Sequence, residues 1–126
     1  METNPETKPV HDVAVSALMD MAVESWRFSR LFIRMIRKLD AEDTTRYANQ
    51  LNYFLDKVNE SLRQLDMQLV NIEGQLYDHG MAASPLNIAD FDANDSLIVD
   101  QMLEPIIMSP NGLVRTGTVM LRKAKI

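Results

Sequence analysis

The sequence predicts an α+β protein in which a long antiparallel helical hairpin precedes a small C-terminal β-unit. Three observations lead to this prediction. Apolar residues recur at alternating steps of three and four from residue 48 to residue 76. A second stripe with the same spacing runs from residue 14 to residue 39. Residues 97–126 instead contain short β-prone runs separated by a turn sequence.

The composition is that of an ordinary globular protein. Of 126 residues, 46% are hydrophobic and 25% are charged, and the net charge of -5 argues against nucleic-acid binding, which needs a basic surface. No apolar run approaches the roughly 18 residues of a membrane span. Residues 1–9 lack the apolar core of a secretory signal, and the chain has no cysteine. We therefore expect a cytoplasmic protein with no membrane or nucleic-acid partner.

Helix one is predicted to begin near Asp12, whose carboxylate can cap the first turn. Residues 1–10 contain two prolines and several charges, and we expect them to form a disordered arm. Val15, Val23 and Trp26 widen the apolar stripe, which indicates contact with more than one neighbour. The seam of this helix consists of Ala14, Leu18, Met21, Ser25, Phe28, Phe32, Met35 and Leu39.

Helix two has the more regular seam, about four heptads long. An apolar seam of this length cannot face water, so the helix must lie along another helix of its own chain or of a second copy. We expect a homodimer in which two hairpins form a four-helix bundle. The seam consists of Ala48, Leu51, Leu55, Val58, Leu62, Leu65, Leu69, Ile72 and Leu76.

The two seams do not share a frame, and Asp40–Thr45 supplies capping residues where they meet. This favours two helices joined by a short turn, within a helical region spanning residues 11–80. One long helix with a phase shift remains an alternative, because no glycine or proline lies between residues 39 and 48. Gly80 is the expected left-handed cap at the end of helix two.

A linker (residues 81–96) is predicted before the β-domain (residues 97–126). The turn sequence Ser109–Gly112 contains a proline that fixes φ and an Asn-Gly pair that accepts positive φ. Gly117 is expected at a bulge or a tight bend. Such a small sheet needs a helix or a partner to cover its apolar face. The β-prone runs are Leu97–Val99, Ile106–Met108 and Thr118–Leu121.

No nucleophile motif, glycine-rich phosphate loop or zinc spacing occurs in the chain. Asp90, Asp92 and Asn94 resemble the start of a calcium loop, but Asp95 and Gln101 stand where that loop needs glycine and glutamate. We therefore expect a solvated acidic loop here. No metal, no cofactor, no catalytic residue and no enzymatic activity are predicted.

A basic stripe on helix one lies away from the seam and consists of Arg27, Arg30, Arg34 and Arg37. We expect a solvated face whose arginines pair with Asp56, Glu60 and Asp66 of helix two. The alternative is that the stripe docks on an acidic surface of a partner.

The order of a long helical hairpin and a small β-unit resembles GrpE-type nucleotide exchange factors. The segment Asn111-Gly-Leu-Val-Arg115-Thr-Gly-Thr-Val119-Met-Leu-Arg-Lys123 is similar to that family's closing strands, N-G-R-x-[LI]-R-x-A-x-V-x-V with a basic tail. Gly74-Gln-Leu-Tyr77-Asp78 resembles the G-x-x-[FY]-D-P stretch at its junction. The chain departs from the pattern because Leu113 directly follows Gly112, where the family has arginine. Gly117 also replaces the usual alanine.

This resemblance implies a homodimeric, non-enzymatic co-chaperone that binds the ATPase domain of an Hsp70-type chaperone and promotes release of ADP. The partner-binding residues that it implies are Asn111, Leu113, Val114 and Arg115 near the hairpin, with Tyr77 and Asp78 at the junction. Arg115 can pair bidentately with a carboxylate of the partner.

Composition and periodicity fit a second class equally well. In that class, the chain is a dimeric helical-bundle adaptor or scaffold whose β-unit is a cap or a different docking surface. A small acidic secretion-type chaperone that binds another protein is a third option.

Overall fold

The fold was analysed in a computed structural model that describes residues 10–125. Two long helices, α1 (Val10–Ile36) and α2 (Ala41–Arg63), precede small C-terminal sheets, which confirms the predicted α+β class. Residues 1–9 of the predicted arm lie outside the described residues, and Val10 already belongs to α1. The strands are β1 (Gln68–Val70), β2 (Ala83–Pro85), β3 (Leu97–Glu104), β4 (Ile106–Ser109), β5 (Gly112–Arg115) and β6 (Gly117–Lys123).

Residues 37–40 are not helical and separate α1 from α2, so the alternative of one long helix is wrong. Asp40 caps α2, because its carboxylate accepts a hydrogen bond from the Asp43 N–H at 2.8 Å. The Thr44 hydroxyl donates to the carbonyl oxygen of Ile36 at 2.8 Å and so satisfies an end group of α1. The capping residues predicted at this junction therefore act on both helices.

Helix α2 ends at Arg63, and its predicted continuation to Gly80 is wrong. Asp66 adopts a left-handed backbone with φ of 57°. The N–H of Met67 donates to Leu62 O at 3.0 Å, and that of Asp66 donates to Arg63 O at 2.9 Å. These two bonds form a Schellman motif, in which the side chains of Leu62 and Met67 pack together in one core cluster. An aspartate here takes the place that glycine usually fills.

The apolar seam therefore continues past the end of its helix. Leu65 lies in the helix exit, Leu69 lies in β1, and Ile72 is buried in the β-unit. Leu76 forms an isolated bridge with Ile98. The helical region spans residues 10–63 rather than 11–80, and the predicted linker 81–96 contains β2 and a short 3₁₀ turn, Ile88–Asp90.

The six strands form two three-stranded sheets. One sheet has the order β1-β4-β5 and is antiparallel throughout, and the other has the order β2-β6-β3. In the second sheet, β2 is parallel to β6 and β3 is antiparallel to it. The predicted turn joins β4 to β5, with positive φ at Gly112. Gly117 begins β6, where an added Cβ would lie 2.9 Å from the backbone oxygen of Glu104.

One face of α1 covers the β-unit. Trp26 belongs to the core of the β-unit, and Ala22 and Val23 form a second cluster with Leu62, Met67 and Ile107. This second cluster places both helices and β4 in contact. Around Trp26, the core consists of Ile72, Ala83, Leu97, Val99, Met102, Ile106, Val119 and Leu121.

A buried polar contact fixes α1 on strand β3. The indole N–H of Trp26 donates to the carbonyl oxygen of Met102 at 2.7 Å. The Arg30 guanidinium lies over the indole ring, 3.9 Å from its centroid, and pairs with the Glu73 carboxylate at 2.8 Å. Glu73 in turn accepts the Met102 N–H at 2.9 Å. We call these four residues the Trp26 latch.

We predict that Trp26→Phe lowers the free energy of unfolding by about 1–3 kcal/mol, because the buried Met102 carbonyl loses its donor while most of the apolar ring remains. Urea denaturation monitored by circular dichroism measures the change. Tyr53→Phe, which removes one polar group from an exposed side chain of α2, should change the stability by less than about 0.5 kcal/mol. Equal midpoints for Trp26→Phe and the unmodified protein would contradict the role of the latch.

Candidate partner-binding surface

The β4–β5 hairpin carries the largest group of sequence-predicted site residues. Its turn is held locally, since the Asn111 N–H donates to the Ser109 hydroxyl at 3.3 Å. Asn111 is exposed at the tip, and Leu113 and Val114 follow on β5 with 50% and 40% of their surfaces exposed. The structure therefore brings Asn111, Leu113, Val114 and Arg115 together on one hairpin.

A register shift explains why two consecutive apolar residues of β5 face solvent. Ile107 lies opposite Arg115 and Met108 lies opposite Leu113, so Val114 has no residue opposite it. Such a β-bulge breaks the strict alternation of a strand and redirects a side chain. Among residues 10–125, the far side of β5 pairs with no other strand, since β5 is an edge of its sheet. The surface is therefore an apolar pair on an open sheet edge.

Arg115 points back toward α1 and does not stand free at the hairpin. Its guanidinium pairs with the Asp20 carboxylate at 2.9 Å, where the Asp20 side chain is largely exposed. An exposed pair of this kind contributes at most about 1 kcal/mol. Arg115 can thus exchange Asp20 for a carboxylate of a partner at little cost.

Glu104 ends β3, at the base of the hairpin. Its carboxylate accepts a hydrogen bond from the Thr118 hydroxyl at 2.8 Å and pairs with Arg27 at 3.0 Å. The hydrogen bond from Thr118, followed by the interactions with Arg27 and Arg115, lowers the pKa of Glu104, while partial burial acts in the opposite direction. Arg27–Glu104 is thus a second link between α1 and the β-unit.

Tyr77 and Asp78 lie at the other end of the β-unit. The Tyr77 N–H donates to Leu97 O at 2.8 Å, and Leu97 pairs with Lys123, whereas the hairpin adjoins the Gly117 end of β6. Seven strand residues separate the two ends by roughly 20 Å. The structure therefore does not bring Tyr77 and Asp78 together with the four hairpin residues.

A cleft of about 630 Å³ surrounds Tyr77 and Asp78. Apolar side chains, including Leu76, Ile88 and Phe91, line it together with Asp92 and Asp95. Asp95 is already engaged, since it accepts the Asp92 N–H at 2.9 Å and lies 3.8 Å from the Lys123 ammonium. The acidic loop predicted at residues 90–95 thus forms one wall of this cleft.

An exposed apolar surface runs along α1 on the side away from the β-unit. The Phe28 and Phe32 rings lie 6.1 Å apart and line a small apolar pocket with Leu51 and Phe54 of α2. We call this surface the open face. Its members are Met21, Phe28, Leu31, Phe32, Met35 and Phe54, and most of them are exposed.

Sequence reasoning missed Asp20, Glu73, Glu104 and Thr118, which hold the β-unit on α1 and the hairpin in place. No local pattern marks them, because each contacts a residue far away in the chain. The one available signal is that Asp20, Trp26, Arg27 and Arg30 recur at near-helical spacing on one face of α1.

Within residues 10–125, no helix is both long enough and apolar enough to cross a bilayer. In the same part of the chain, no group of three His, Cys, Asp or Glu side chains is placed to hold a metal ion. Comparison of the chain with protein-family models, curated proteins and solved structures gives no match.

We predict that Thr118→Val raises the pKa of Glu104 toward its ordinary value. The lowered pKa in the folded state means that ionised Glu104 contributes stability above the ordinary carboxyl pKa, and this contribution is lost as pH falls through the folded-state pKa. The variant should therefore lose less stability than the unmodified protein between about pH 5 and pH 3.

Carboxyl-carbon NMR titration measures the Glu104 pKa directly, and urea denaturation at both pH values measures the stability. Thr45→Val is the matched control, because the Thr45 hydroxyl bonds only a helix carbonyl, at 2.9 Å from Ala41 O. An unchanged Glu104 titration in Thr118→Val would refute the assignment.

Proposed function

We propose that this chain is a non-enzymatic, homodimeric protein-binding module that presents the β4–β5 hairpin to the ATPase domain of an Hsp70-type chaperone and promotes release of ADP. The observation that carries the proposal is the exposed pair Leu113 and Val114 on an open sheet edge. The resemblance of Asn111–Lys123 to the closing strands of GrpE-type exchange factors supplies the identity of the partner.

Nucleotide release needs no catalytic side chain. The module must bind the open form of the partner more tightly than the closed form, because only differential affinity shifts a conformational equilibrium. Such discrimination requires a hairpin that does not pivot. The Trp26 latch, Arg27–Glu104 and Arg115–Asp20 all join α1 to the β-unit, and together they support a fixed orientation.

The dimer is proposed to form through the open face. Phe28 and Phe32 lie near Leu51 and Phe54, while Ala22 and Val23 lie near Leu62, a contact pattern that fits an antiparallel helix pair. The α1–α2 pair of a second copy, packed on the open face, would complete a four-helix bundle. Burial of a large apolar side chain contributes about 1.5–3 kcal/mol, so burial of several members of the open face would favour association.

The proposed dimer contact therefore differs from the one predicted from the sequence, which used the seam of helix two. Leu62 is fully buried within its own chain, and Leu65 and Leu69 pack against the same cluster. Leu51 adjoins the open face, and Leu55 and Val58 are partly exposed on α2. The α1 residues of the open face are the main surface available to a second copy.

The missing arginine after Gly112 favours an alternative proposal, a dimeric adaptor or scaffold or a small acidic secretion-type chaperone. Leu113 directly follows Gly112, where GrpE-type exchange factors have arginine. A module of this class would use the same hairpin on a different protein. The two proposals differ only in whether nucleotide release responds.

We predict that Phe28→Glu converts the dimer to a monomer, because a charge replaces a 58% exposed aromatic at the centre of the open face. Multi-angle light scattering at micromolar concentration measures the mass. Leu86→Glu makes a similar apolar-to-charged change at a 63% exposed position in the β-unit and should leave the dimer intact. A monomeric unmodified protein would exclude the dimer.

We predict that the protein accelerates release of a fluorescent ADP analogue from an Hsp70-type ATPase domain, and that Leu113→Ser with Val114→Ser reduces the acceleration about tenfold or more. Stopped-flow fluorescence measures the release rate. Leu76→Ser, at an exposed apolar position at the other end of the β-unit, should have little effect. No acceleration with any such chaperone of the same cell would refute the exchange function and leave the adaptor class.

Arg115→Ala and Asp20→Asn then separate two roles of Arg115 in the same assay. If Arg115 binds the partner, only Arg115→Ala slows release, since Asp20→Asn frees the guanidinium. If the ion pair instead orients the hairpin, both variants slow release. A lower melting temperature for Arg115→Ala would identify Arg115 as a structural residue.

A further inference from the structure

A cleft of about 440 Å³ lies between the last turns of α1 and strand β3. Arg30 and Arg34 of α1 line one wall together with Arg37, which directly follows the helix. The opposite wall is formed by β3 and by Glu73 and Gly74, which follow β1. We call this the arginine cleft. Its lining includes Arg30, Arg34, Arg37, Glu73, Asp100 and Leu103.

The arginine stripe does not pair with α2, so the predicted partners Asp56, Glu60 and Asp66 are wrong. Arg27 pairs with Glu24 and Glu104 instead. Arg30 pairs with Glu73. The stripe therefore faces the β-unit, which places its last two arginines at the arginine cleft.

The carboxylates of the cleft are already neutralised. Glu73 accepts Arg30 at 2.8 Å, and Asp100 accepts the Arg122 Nε at 3.2 Å. Within the described part of the chain, Arg34 and Arg37 form no ion pair at all. The cleft thus holds two uncompensated guanidinium groups in a protein whose net charge is -5.

These cations are close enough to repel one another. Arg34 lies in the last turn of α1, and Arg37 directly follows the helix with its N–H bonded to Ile33 O at 3.2 Å, so the two side chains, three residues apart, are neighbours. Burial lowers the pKa of Arg30, and the charge of Arg37 lowers it further, while Glu73 opposes both effects. An anion placed between Arg34 and Arg37 would offset the positive charge that Arg37 adds beside Arg30.

We propose that the arginine cleft binds an acidic peptide segment of a protein partner, with carboxylates held by Arg34 and Arg37. Guanidinium groups bind carboxylates bidentately, which fixes direction as well as charge. Ile33 and Leu103 line the same cleft and offer apolar contact to side chains between the carboxylates. A small inorganic anion would not use this apolar contact. Nucleic acid is disfavoured because the rest of the protein is acidic.

The probe is a fluorescein-labelled octapeptide that alternates glutamate with leucine, and fluorescence anisotropy measures its binding at low ionic strength. Saturable binding is expected, falling as salt rises. Arg34→Gln with Arg37→Gln should weaken it at least about tenfold, because both bidentate contacts are lost. Arg34→Lys with Arg37→Lys keeps the charge but lacks the planar guanidinium. Its affinity for the peptide should lie between that of the unmodified protein and that of the Gln double variant.

Arg46→Gln with Arg63→Gln is the matched control. It removes the same charge from exposed positions on α2 and should retain binding within about twofold. Circular dichroism melts verify that all variants fold. An octapeptide with glutamine in place of glutamate should not bind.

Three results would overturn the proposal. The first is the absence of saturable binding to the unmodified protein. The second is an equal loss in both Gln double variants, which would indicate general charge attraction. The third is full displacement of the peptide by inorganic phosphate at a concentration equal to the dissociation constant of the peptide, which would indicate a small-anion site. No chaperone is present in the assay, so its outcome is independent of the proposed exchange function.

Discussion

The orientation of the β-unit depends chiefly on Trp26. The ion pairs Arg27–Glu104 and Arg115–Asp20 have exposed members, and each contributes at most about 1 kcal/mol. Trp26 is buried in the core of the β-unit, where loss of such a side chain costs about 3–5 kcal/mol, and its N–H satisfies a backbone carbonyl. Because its contribution to stability is the larger one, Trp26 determines the orientation of α1 on β3, and the exposed ion pairs contribute less to it.

The contact between Trp26 and Met102 also covers the outer edge of strand β3. Strand β3 pairs with β6 on one side only, and the Met102 N–H and C=O are bound by Glu73 and Trp26 rather than by another strand. Farther along, the segment after Ile72 covers the edge, since the N–H groups of Gly74 and Tyr77 donate to Val99 O and Leu97 O. Within the part of the chain that the structure describes, no segment covers the outer edge of β5 in this way. Because unpaired edges are routes for association, the exposed pair Leu113 and Val114 stands where a partner strand or surface can add.

Short-range chemistry explains which parts of this fold the sequence predicts. The Asp40 cap and the Ser109–Gly112 turn act within a few residues, so their residue types alone identify them. The end of α2 escaped prediction because Leu65, Leu69 and Ile72 keep the heptad spacing while serving the helix exit, a strand and the β-core in turn. The contacts of the candidate surface with α1 join residues far apart in the chain. Asp20 and Arg115 are 95 residues apart, and no local pattern links them.

Helix α1 carries both surfaces that the proposed dimer uses, the face that contacts the β-unit and the open face. Trp26 faces the β-unit, whereas Phe28, two positions along, belongs to the open face, since a helix turns by about 200° over two residues. A second copy packed on the open face would therefore be related to each hairpin through a single rigid helix and not through a linker. The separation and direction of the two hairpins would then follow from how the α1 helices cross. In the proposed dimer, a change in that crossing would reach the exposed edge of β5 through the Trp26 latch, so α1 would couple assembly to recognition.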